Sequence, residues 1–584
     1  MRASSFSESS RCSLWVPVLL LVGLGAGCTH SKPVVEFPTL ETLNRLATVP
    51  VAAPEIAAAA VPAGGWTVDA SHAAQAHQEA WQPAEPWGQA FASSLPRGGR
   101  QPRLSRAMAC IASELGRFRL AAKKEPPRAL HEFILGACGA ISPQVGTYFL
   151  QGSVPAEVSE AELLKQWSGK LENELAGKLP PDATDVGFWF GRSDDQALAL
   201  VTYSQTRGES RPFSLTPDAS GNITFEGQVA ANVEHFAGYI NQGRYGVESC
   251  LVDPGVPRPQ FRIVCHMAPE DRTAWVQLVY AEPRRVLASS FIQTLVRRTP
   301  TESLVFTETA AATPQPASDT AAFSRAVLDE LNAARAQAQL TPVQLADAQS
   351  ATATRLAGHY FAAALGENRE AEQDQIALGL LAGWQVPGMI RHGSFFSSLI
   401  PFTRDPSQWL NLALTMPSGR ATLLSADIEQ IALGPLFLSS PEGLGAVVTG
   451  YQLHHSNDHS NDVLRLFLRL SFARQNVGLG PAKKINGLGP ILADELKRVN
   501  AGEREPSDVM QEVLQRGSEK LGVPLRGYII ETTSLEALQI PPDLMRRPSL
   551  QLAIGVTHHK PIGAAWAQFA ILVVYVDGVP PGSI

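Results

Sequence analysis

The sequence has few charged residues and no excess of basic ones. Only 18% of its 584 residues are charged, and the formal net charge at pH 7 is −7. Nucleic-acid binding needs a basic surface that faces the phosphates, so this balance argues against a nucleic-acid partner. Beyond the N-terminal segment there is also no run of 18 apolar residues, and we therefore expect no internal membrane helix.

Familiar catalytic motifs are missing as well. The chain has no G-x-S-x-G elbow for a nucleophilic serine, no Walker loop, and no G-x-G-x-x-G after a predicted strand. His131 and Glu132 begin a string like the zinc-binding H-E-x-x-H, but Leu135 stands where the second histidine would be. We therefore expect a protein that is not an enzyme and that has no catalytic residue, no metal ligand and no cofactor.

Two helices are predicted near the middle of the chain. Apolar residues recur at helical spacing from Phe323 to Ala338, and Asp319 or Thr320 precedes them as a helix cap. The pattern breaks at Pro342 and resumes as a second helix. Five positions of this stretch recur 139 residues later, which indicates an internal repeat: Leu331, Ala334, Arg335, Leu340 and Pro342 match Leu470, Ala473, Arg474, Leu479 and Pro481. The repeated arginine is expected to pair with a carboxylate or to cap a helix C-terminus rather than to catalyse.

The N-terminus predicts export and lipid anchoring. Residues 1–28 have early arginines and a short apolar core, as secretion signals do, and end in Gly25-Ala26-Gly27-Cys28. Small residues before a cysteine are similar to a bacterial lipobox, so Cys28 is the expected lipidation site. Thr29, and not Asp, follows Cys28, which resembles lipoproteins that are sent to an outer membrane. The alternative is a cleaved signal in which Cys28 is incidental.

The remaining cysteines predict two disulfides. Besides Cys12 and Cys28, the chain has four cysteines, an even number that suits an oxidising compartment. Two of them sit on successive predicted helices, and the other two flank a loop between extended segments. This arrangement favours the pairs Cys110–Cys138 and Cys250–Cys265, the alternative being a four-cysteine zinc site that lacks close C-x2-C pairs.

Residues 320–455 resemble the CAP superfamily, which includes cysteine-rich secretory proteins, antigen 5 and pathogenesis-related proteins. The resemblance rests on three runs: Leu331-Asn332-Ala333-Ala334-Arg335 with Leu340 and Pro342; Trp409 with Pro417-Ser418-Gly419-Arg420; and Leu423-Leu424 with Ile431-Ala432-Leu433-Gly434. It implies a fold of α-β-α sandwich units. Gly419 stands where the family has a cavity histidine, and Gly366-Glu367-Asn368 resembles its GEN motif without the preceding His-Ser. The family's polar tetrad therefore cannot be assigned here.

We expect an α+β protein with CAP-like α-β-α sandwich units and a small β-sandwich. The predicted segments are a lipoprotein signal peptide (1–28), an Ala/Pro-rich tether (29–98), a diverged helices-plus-hairpin unit (99–204), the small β-sandwich (205–305), a linker (306–319), the CAP-like domain (320–455) and a C-terminal repeat unit (456–584).

Histidines occur in three candidate sites of the sequence. His359, Glu367 and His392 are the candidates for lining a ligand cavity of the central unit. His455 and His459 are spaced to share a metal, but the surrounding Ser, Asn and Asp residues favour a loop and a helix cap. The adjacent histidines at 558 and 559 are expected in a hairpin turn that faces solvent.

These observations favour a non-catalytic lipoprotein of the cell envelope, exported across the inner membrane and anchored to the outer membrane by its N-terminal lipid. Its CAP-like units would bind an unknown ligand, a lipid or an envelope protein. The alternatives are a cell-wall or peptide hydrolase of the CAP type and a structural envelope spacer. A hydrolase needs an activated nucleophile or a metal-bound water, and the sequence offers neither pattern.

Overall fold

The structure is a computed structural model with mixed helix and sheet content. It describes residues 37–576 apart from gaps at 53, 55–57, 70–71, 96–100, 144, 194, 207, 230–231, 283–286, 300–303, 308–314, 367–368, 402, 440–441, 455–457, 534, 536–537 and 539. Cys28 and Glu367 lie outside the described residues. Over the described part, the fold is α+β, and none of its helices is both long and apolar enough to cross a membrane.

The α-helices are Leu40–Ala47 (α1), Pro86–Ser94 (α2), Arg106–Ala122 (α3), Arg128–Ala137 (α4), Glu160–Lys170 (α5), Thr320–Gln337 (α6), Asp347–Leu365 (α7), Glu370–Ala382 (α8), Pro406–Thr415 (α9), Pro417–Leu423 (α10), Ser460–Asn476 (α11), Gly489–Asn500 (α12) and Pro506–Leu521 (α13). The strands are Trp66–Val68 (β1), Arg103–Leu104 (β2), Val145–Ser153 (β3), Asp185–Ser193 (β4), Gln196–Ser204 (β5), Gly208–Ser210 (β6), Asn222–Val229 (β7), His235–Gln242 (β8), Gly246–Ser249 (β9), Leu251–Val252 (β10), Gln260–His266 (β11), Thr273–Ala281 (β12), Ser289–Arg297 (β13), Leu304–Phe306 (β14), Gln344–Leu345 (β15), Ile390–Pro401 (β16), Gln430–Ser439 (β17), Glu442–Leu453 (β18), Lys483–Lys484 (β19), Leu525–Thr532 (β20), Gln551–His559 (β21) and Gln568–Val576 (β22).

The described chain forms two compact units. The first comprises residues 37–381 and 394–450, and the second comprises residues 382–393 and 451–576. Each unit is described below by itself.

Three four-stranded sheets have the same strand order. In each sheet a two-residue strand runs parallel to the first strand of an antiparallel hairpin, and the second hairpin strand pairs with a strand from earlier in the segment. The orders are β2-β4-β5-β3, β15-β17-β18-β16 and β19-β21-β22-β20. A helix precedes each two-residue strand and two helices follow it. The same local pattern of helix, short strand, two helices and hairpin thus occurs three times, and we call these three segments the first, second and third copies.

The first copy begins earlier than the sequence predicts. Its opening helix is α2, which precedes β2 as α6 precedes β15. Trp87 and Phe91 of α2 are 4% and 0% exposed and pack in one core with Trp167 and Phe188. The expectation of a tether over residues 29–98 is therefore wrong for its described part. An Ala- and Pro-rich composition indicated a tether, but a few large aromatic residues suffice to bury the segment.

A small β-sandwich follows the first copy. The sheets β10-β11-β7-β6 and β13-β12-β8-β9 contribute alternate residues to one core, including Phe225 and Ile263 from one sheet and Ile240 and Val276 from the other. The disulfide that the sequence places here is present, between Cys250 and Cys265, and the first copy contains the other expected pair, Cys110–Cys138.

The ends of two helices test the predicted caps. The Asp319 side chain accepts a hydrogen bond from the Ala322 amide at 2.8 Å, as an N-cap does. Helix α13 runs past Gly517, although a glycine is common at the end of a helix. It continues to Leu521, and Gly522 adopts the left-handed conformation with φ 66°. Gly517 is inside the helix, where an added Cβ would lie 2.7 Å from a methyl carbon of Leu525.

The repeated arginines make the same kind of contact in the second and third copies. Both Arg335 and Arg474 are 0% exposed. The Arg335 guanidinium donates to the carbonyl oxygens of Thr341 at 2.7 Å and Leu423 at 2.8 Å, and also to those of Ser425 and Ile428. Arg474 donates in the same way to the carbonyls of Gly480, Leu544, Arg547 and Pro548. Each arginine thus binds backbone carbonyls in the segment that leads into its hairpin, and Arg335 also caps α10.

Candidate functional site

The cavity residues expected from the sequence are not assembled into a site by the described contacts. His359 lies on α7 in the first unit and is 4% exposed. His392 lies on β16, among the residues assigned to the second unit, and its ring packs edge-on against Trp566 with centroids 5.6 Å apart. Glu367 lies outside the described residues. Neither histidine lines the cleft described below.

Gly419, a position singled out in the sequence analysis, lies where two helices approach closely. An added Cβ at Gly419 would lie 1.9 Å from the carbonyl oxygen of Ala413, far inside van der Waals contact. The close approach of α10 to the end of α9 therefore excludes any side chain at this position unless the backbone moves. The packing of these two helices thus leaves no room for a side chain at residue 419.

The structure instead forms an open polar cleft in the first unit, at one end of the sheet of the first copy. The enclosed space is small, about 20 Å³, and the rest of the cleft is open to solvent. The segment from Ala74 to Glu79 forms one wall, and the loop from Gly139 to Ser142 another. The ends of three neighbouring strands supply Arg103, Asp185 and Ser204, and the wall segment supplies His77 and Glu79.

Strand register brings the three strand residues together. Arg103 of β2 is paired with Asp185 of β4, and Asp185 is paired with Ser204 of β5. Residues at matching positions on neighbouring strands project from the same face, so the three side chains form one row. The Arg103 Nε donates to Asp185 Oδ1 at 2.9 Å, and the Thr184 hydroxyl donates to Asp185 Oδ2 at 3.2 Å.

The charges in the cleft are largely paired. Asp185 is paired with Arg103, and Glu79 Oε1 lies 2.6 Å from Nη1 of Arg106. Burial lowers the pKa of His77 from 6.5 to about 4, the charge of Asp185 opposing this shift and that of Arg103 adding to it. His77 is therefore a neutral imidazole at pH 7. The lining offers one guanidinium, two carboxylates and several hydroxyls, a set suited to hydrogen bonding with a polar ligand.

The ion pair in this row is found in the first copy and is replaced in the other two. At the same register position the second copy has Gln344 and Gln430, and the third has Lys483 and Gln551. The scaffold thus tolerates an uncharged pair in the second copy and a lysine–glutamine pair in the third. Sequence reasoning missed the site because Arg103 and Asp185 are 82 residues apart and neither belongs to a recognisable motif.

A second cluster of polar groups consists of three histidine rings in the second unit. The rings of His454 and His558 are stacked with centroids 3.9 Å apart, and His459 packs edge-on against His558 at 4.5 Å. Phe569 closes the cluster, with its ring centroid 4.8 Å from that of His558. His459 Nδ1 lies 3.0 Å from Asp462 Oδ2. We call His454, His459 and His558 the histidine cluster.

The prediction that His558 and His559 face solvent is wrong. They are 5% and 2% exposed, because β21 extends through His559 and the hairpin turn lies beyond it. Burial lowers the pKa of His558 to about 3, and the nearby His454, His459 and Arg391 add to the shift. Within the described residues, no group of three or more His, Cys, Asp or Glu side chains is arranged to hold a metal ion. His455 lies outside those residues.

Comparisons with known proteins give little information about function. No protein-family model matches the chain, and no curated protein matches it. Among solved structures, the chain is similar to a cysteine-rich secretory protein from Staphylococcus aureus subsp. aureus Mu50. The identity is 9%, the TM-score is 0.18, and the match covers 51% of this chain and 93% of that one. A match at this level carries no argument about the fold or the function of this chain.

Proposed function

We propose that the protein is a non-catalytic lipoprotein of the cell envelope whose CAP-like copies bind a ligand or a partner. The observation that carries the binding role is the polar cleft of the first copy. It combines a small concavity that is open to solvent with a row of hydrogen-bonding side chains fixed by strand register. Sites for small ligands are concave and carry a few well-placed polar groups.

The membership of all three copies in the CAP-like class belongs to this proposal. Its support is the motif resemblance in residues 320–455 together with the common strand order of the three sheets. The two disulfides suit an oxidising compartment outside the cytoplasm. The proposed location, anchored to an outer membrane through Cys28, follows from the lipobox-like sequence at that residue.

The chemistry of the cleft favours binding over hydrolysis. A hydrolase needs an activated nucleophile or a metal-bound water. The Ser204 hydroxyl lies 3.4 Å from Asp185 Oδ2, but that carboxylate is already neutralised by Arg103. Both carboxylates of the cleft are paired with arginines, so the lining suits a polar ligand that forms hydrogen bonds, such as a peptide. A cell-wall or peptide hydrolase and a structural spacer remain the alternative functions.

A charge-neutral variant of the cleft tests the binding role. The double change Arg103→Gln with Asp185→Gln installs the pair that the second copy has at Gln344 and Gln430, so the sheet is expected to fold. Arg211→Gln is the matched control, because Arg211 pairs with a carboxylate on the β-sandwich, is 75% exposed and does not line the cleft.

The three proteins are titrated calorimetrically with a panel of short peptides and peptidoglycan fragments. We expect at least one compound to bind the natural chain and the control, and to bind the double variant at least tenfold more weakly. Equal binding by all three would remove the cleft from the proposal. Chromatography of the same mixtures detects cleavage, and the release of products would favour the hydrolase.

The anchoring part has its own test. Cys28→Ala is compared with the natural chain for incorporation of radiolabelled fatty acid and for membrane fractionation. We expect the label and the membrane association to be lost in the variant. Unchanged labelling would show that Cys28 carries no lipid.

A further inference from the structure

Helix α11 in the second unit exposes an apolar stripe. Leu464, Leu468 and Phe472 recur every four residues along the helix and are 47%, 45% and 60% exposed. Side chains at this spacing lie one above another on a single helix face. The opposite face is buried through Leu466 and Leu470, so the stripe is not needed for packing the helix onto its core. We call the three residues the α11 stripe.

The second copy provides an internal control for these positions. With the repeat offset of 139 residues, the α11 stripe corresponds to Arg325, Asp329 and Ala333 of α6. All three of these residues are exposed. The same helix position in the same fold is therefore satisfied by polar or small residues. The apolar side chains of α11 are not a requirement of the copy, and their exposure needs a separate reason.

The surroundings of the stripe are basic. Apart from the buried Arg474, residues 462 to 484 include four Lys or Arg residues and one acidic residue, Asp462. Arg465 is 62% exposed, Lys483 and Lys484 are exposed, and the Lys484 ammonium lies 5.6 Å from the ring centroid of Phe467 on the same helix. The surface is thus locally positive although the whole chain carries a formal charge of −7.

Area and charge argue against a second copy of the chain as the occupant. The exposed parts of two leucines and one phenylalanine amount to on the order of 300 Å², whereas a stable dimer buries about 800 Å² on each partner. A twofold contact would also bring Arg465, Lys483 and Lys484 of both molecules together, and like charges repel. An acidic bilayer surface has the opposite charge and needs no matching shape.

We propose that the α11 stripe and its basic surroundings form a surface that docks onto anionic phospholipid membranes. Leucine and phenylalanine would enter the boundary between headgroups and acyl chains, and the lysines and Arg465 would contact the headgroup phosphates. This is the arrangement by which amphipathic helices lie on a membrane without crossing it. The proposal concerns a surface separate from the cleft and does not depend on Cys28.

Vesicle flotation tests the proposal with the chain from residue 28 onward, carrying Cys28→Ser so that no lipid anchor is present. The vesicles are phosphatidylglycerol with phosphatidylethanolamine, and pure phosphatidylcholine. We expect binding to the anionic vesicles, weakened at high salt, and at least about tenfold weaker binding to phosphatidylcholine.

Three variants separate the contributions. Leu464→Arg, Leu468→Asp and Phe472→Ala together install the residues of the second copy, and we expect at least a tenfold loss of binding to anionic vesicles. The pair Lys483→Gln and Lys484→Gln is expected to reduce the binding severalfold and to flatten its salt dependence. Leu251→Asp, at a leucine of the β-sandwich that is 76% exposed, is the control and is expected to bind as the parent does.

Analytical ultracentrifugation of the same proteins completes the test. A monomer that floats with anionic vesicles and loses this property in the triple variant supports the proposal. Failure to bind vesicles, or equal binding by the triple variant, overturns it. Self-association that the triple variant abolishes, without vesicle binding, also overturns it and assigns the stripe to a second copy. Circular dichroism checks that each variant is folded.

Discussion

Replacing Arg335 by methionine should loosen the second copy while the third copy remains intact. The guanidinium of Arg335 is fully buried and donates to four backbone carbonyls, at 2.7, 2.8, 3.0 and 3.4 Å. Three of these carbonyls belong to Leu423, the last residue of α10, and to Ser425 and Ile428, which lie between α10 and β17. Methionine has a similar length and no donor, so the variant removes the hydrogen bonds and keeps most of the apolar volume.

The magnitude follows from the number and kind of bonds. A hydrogen bond to a charged group contributes about 1.5–3 kcal/mol, and leaving a buried acceptor without a donor costs about 1–3 kcal/mol. Water can reach part of a loop once it opens, and the apolar methionine side chain recovers some free energy. We therefore expect a net cost of about 3 kcal/mol, well below the sum of the four bonds. Arg335→Lys keeps the charge but not the fork of donors, and should cost less.

Amide hydrogen exchange of the full chain, followed by mass spectrometry, reads out this loss locally. A cost of about 3 kcal/mol accelerates exchange through local opening by about 100-fold. We expect that acceleration in peptides covering residues 421–431 of the Arg335→Met variant. Peptides covering 544–550 serve as the internal control. In Arg474→Met we expect the acceleration in residues 544–550 and none in residues 421–431, because Arg474 makes the corresponding contacts in the third copy.

The reasoning would be refuted by exchange in residues 421–431 that stays within threefold of the natural chain. That result would show that the carbonyls find other donors and that the buried arginine is dispensable. Equal acceleration in both copies would refute the local account in a different way, since it would indicate global destabilisation.

Three further predictions concern stability and metal binding. Changing Cys250 and Cys265 to alanine opens a 15-residue link and should lower the free energy of unfolding of the β-sandwich by about 3 kcal/mol, measured by urea denaturation; a loss under 1 kcal/mol would contradict it. Burial lowers the pKa of His558 to about 3, so below about pH 6.5 this histidine takes up a proton when the chain unfolds. Its contribution to the free energy of unfolding should be complete above about pH 6.5 and should fall by about 3 kcal/mol as the pH drops to 4. The fall should be smaller in His558→Phe, and an identical pH profile in that variant would contradict this role. Gly419→His should destabilise the second copy without creating a zinc site, because the Cβ of the new histidine would collide with the Ala413 carbonyl. Sub-micromolar zinc binding by this variant would contradict the prediction. Zinc binding by the natural chain that is abolished in His392→Ala would also contradict it.

Local patterns in the sequence determined a good part of the fold. Helical spacing and an Asp cap placed α6, and alternating apolar strands around short turns placed the hairpins of all three copies. The spacing of the cysteines was enough to favour the disulfides that the structure contains, since each pair lies in a local hairpin. The repeat of Arg335 at Arg474 marked two equivalent buried sites. These features depend on interactions between residues near in sequence, or on a pattern written twice in one chain.

Only the tertiary structure decided the candidate site and the ends of several elements. Arg103 and Asp185 meet because a parallel pair of strands sets their register over 82 residues, and no local rule relates two such distant positions. Gly517 lies inside α13, and Leu525 packs against the space that a side chain at this position would fill. His558 is buried because its strand extends to it and neighbouring rings cover it. In each case the outcome rests on what lies across the core, which the residue's own neighbours in the sequence do not specify.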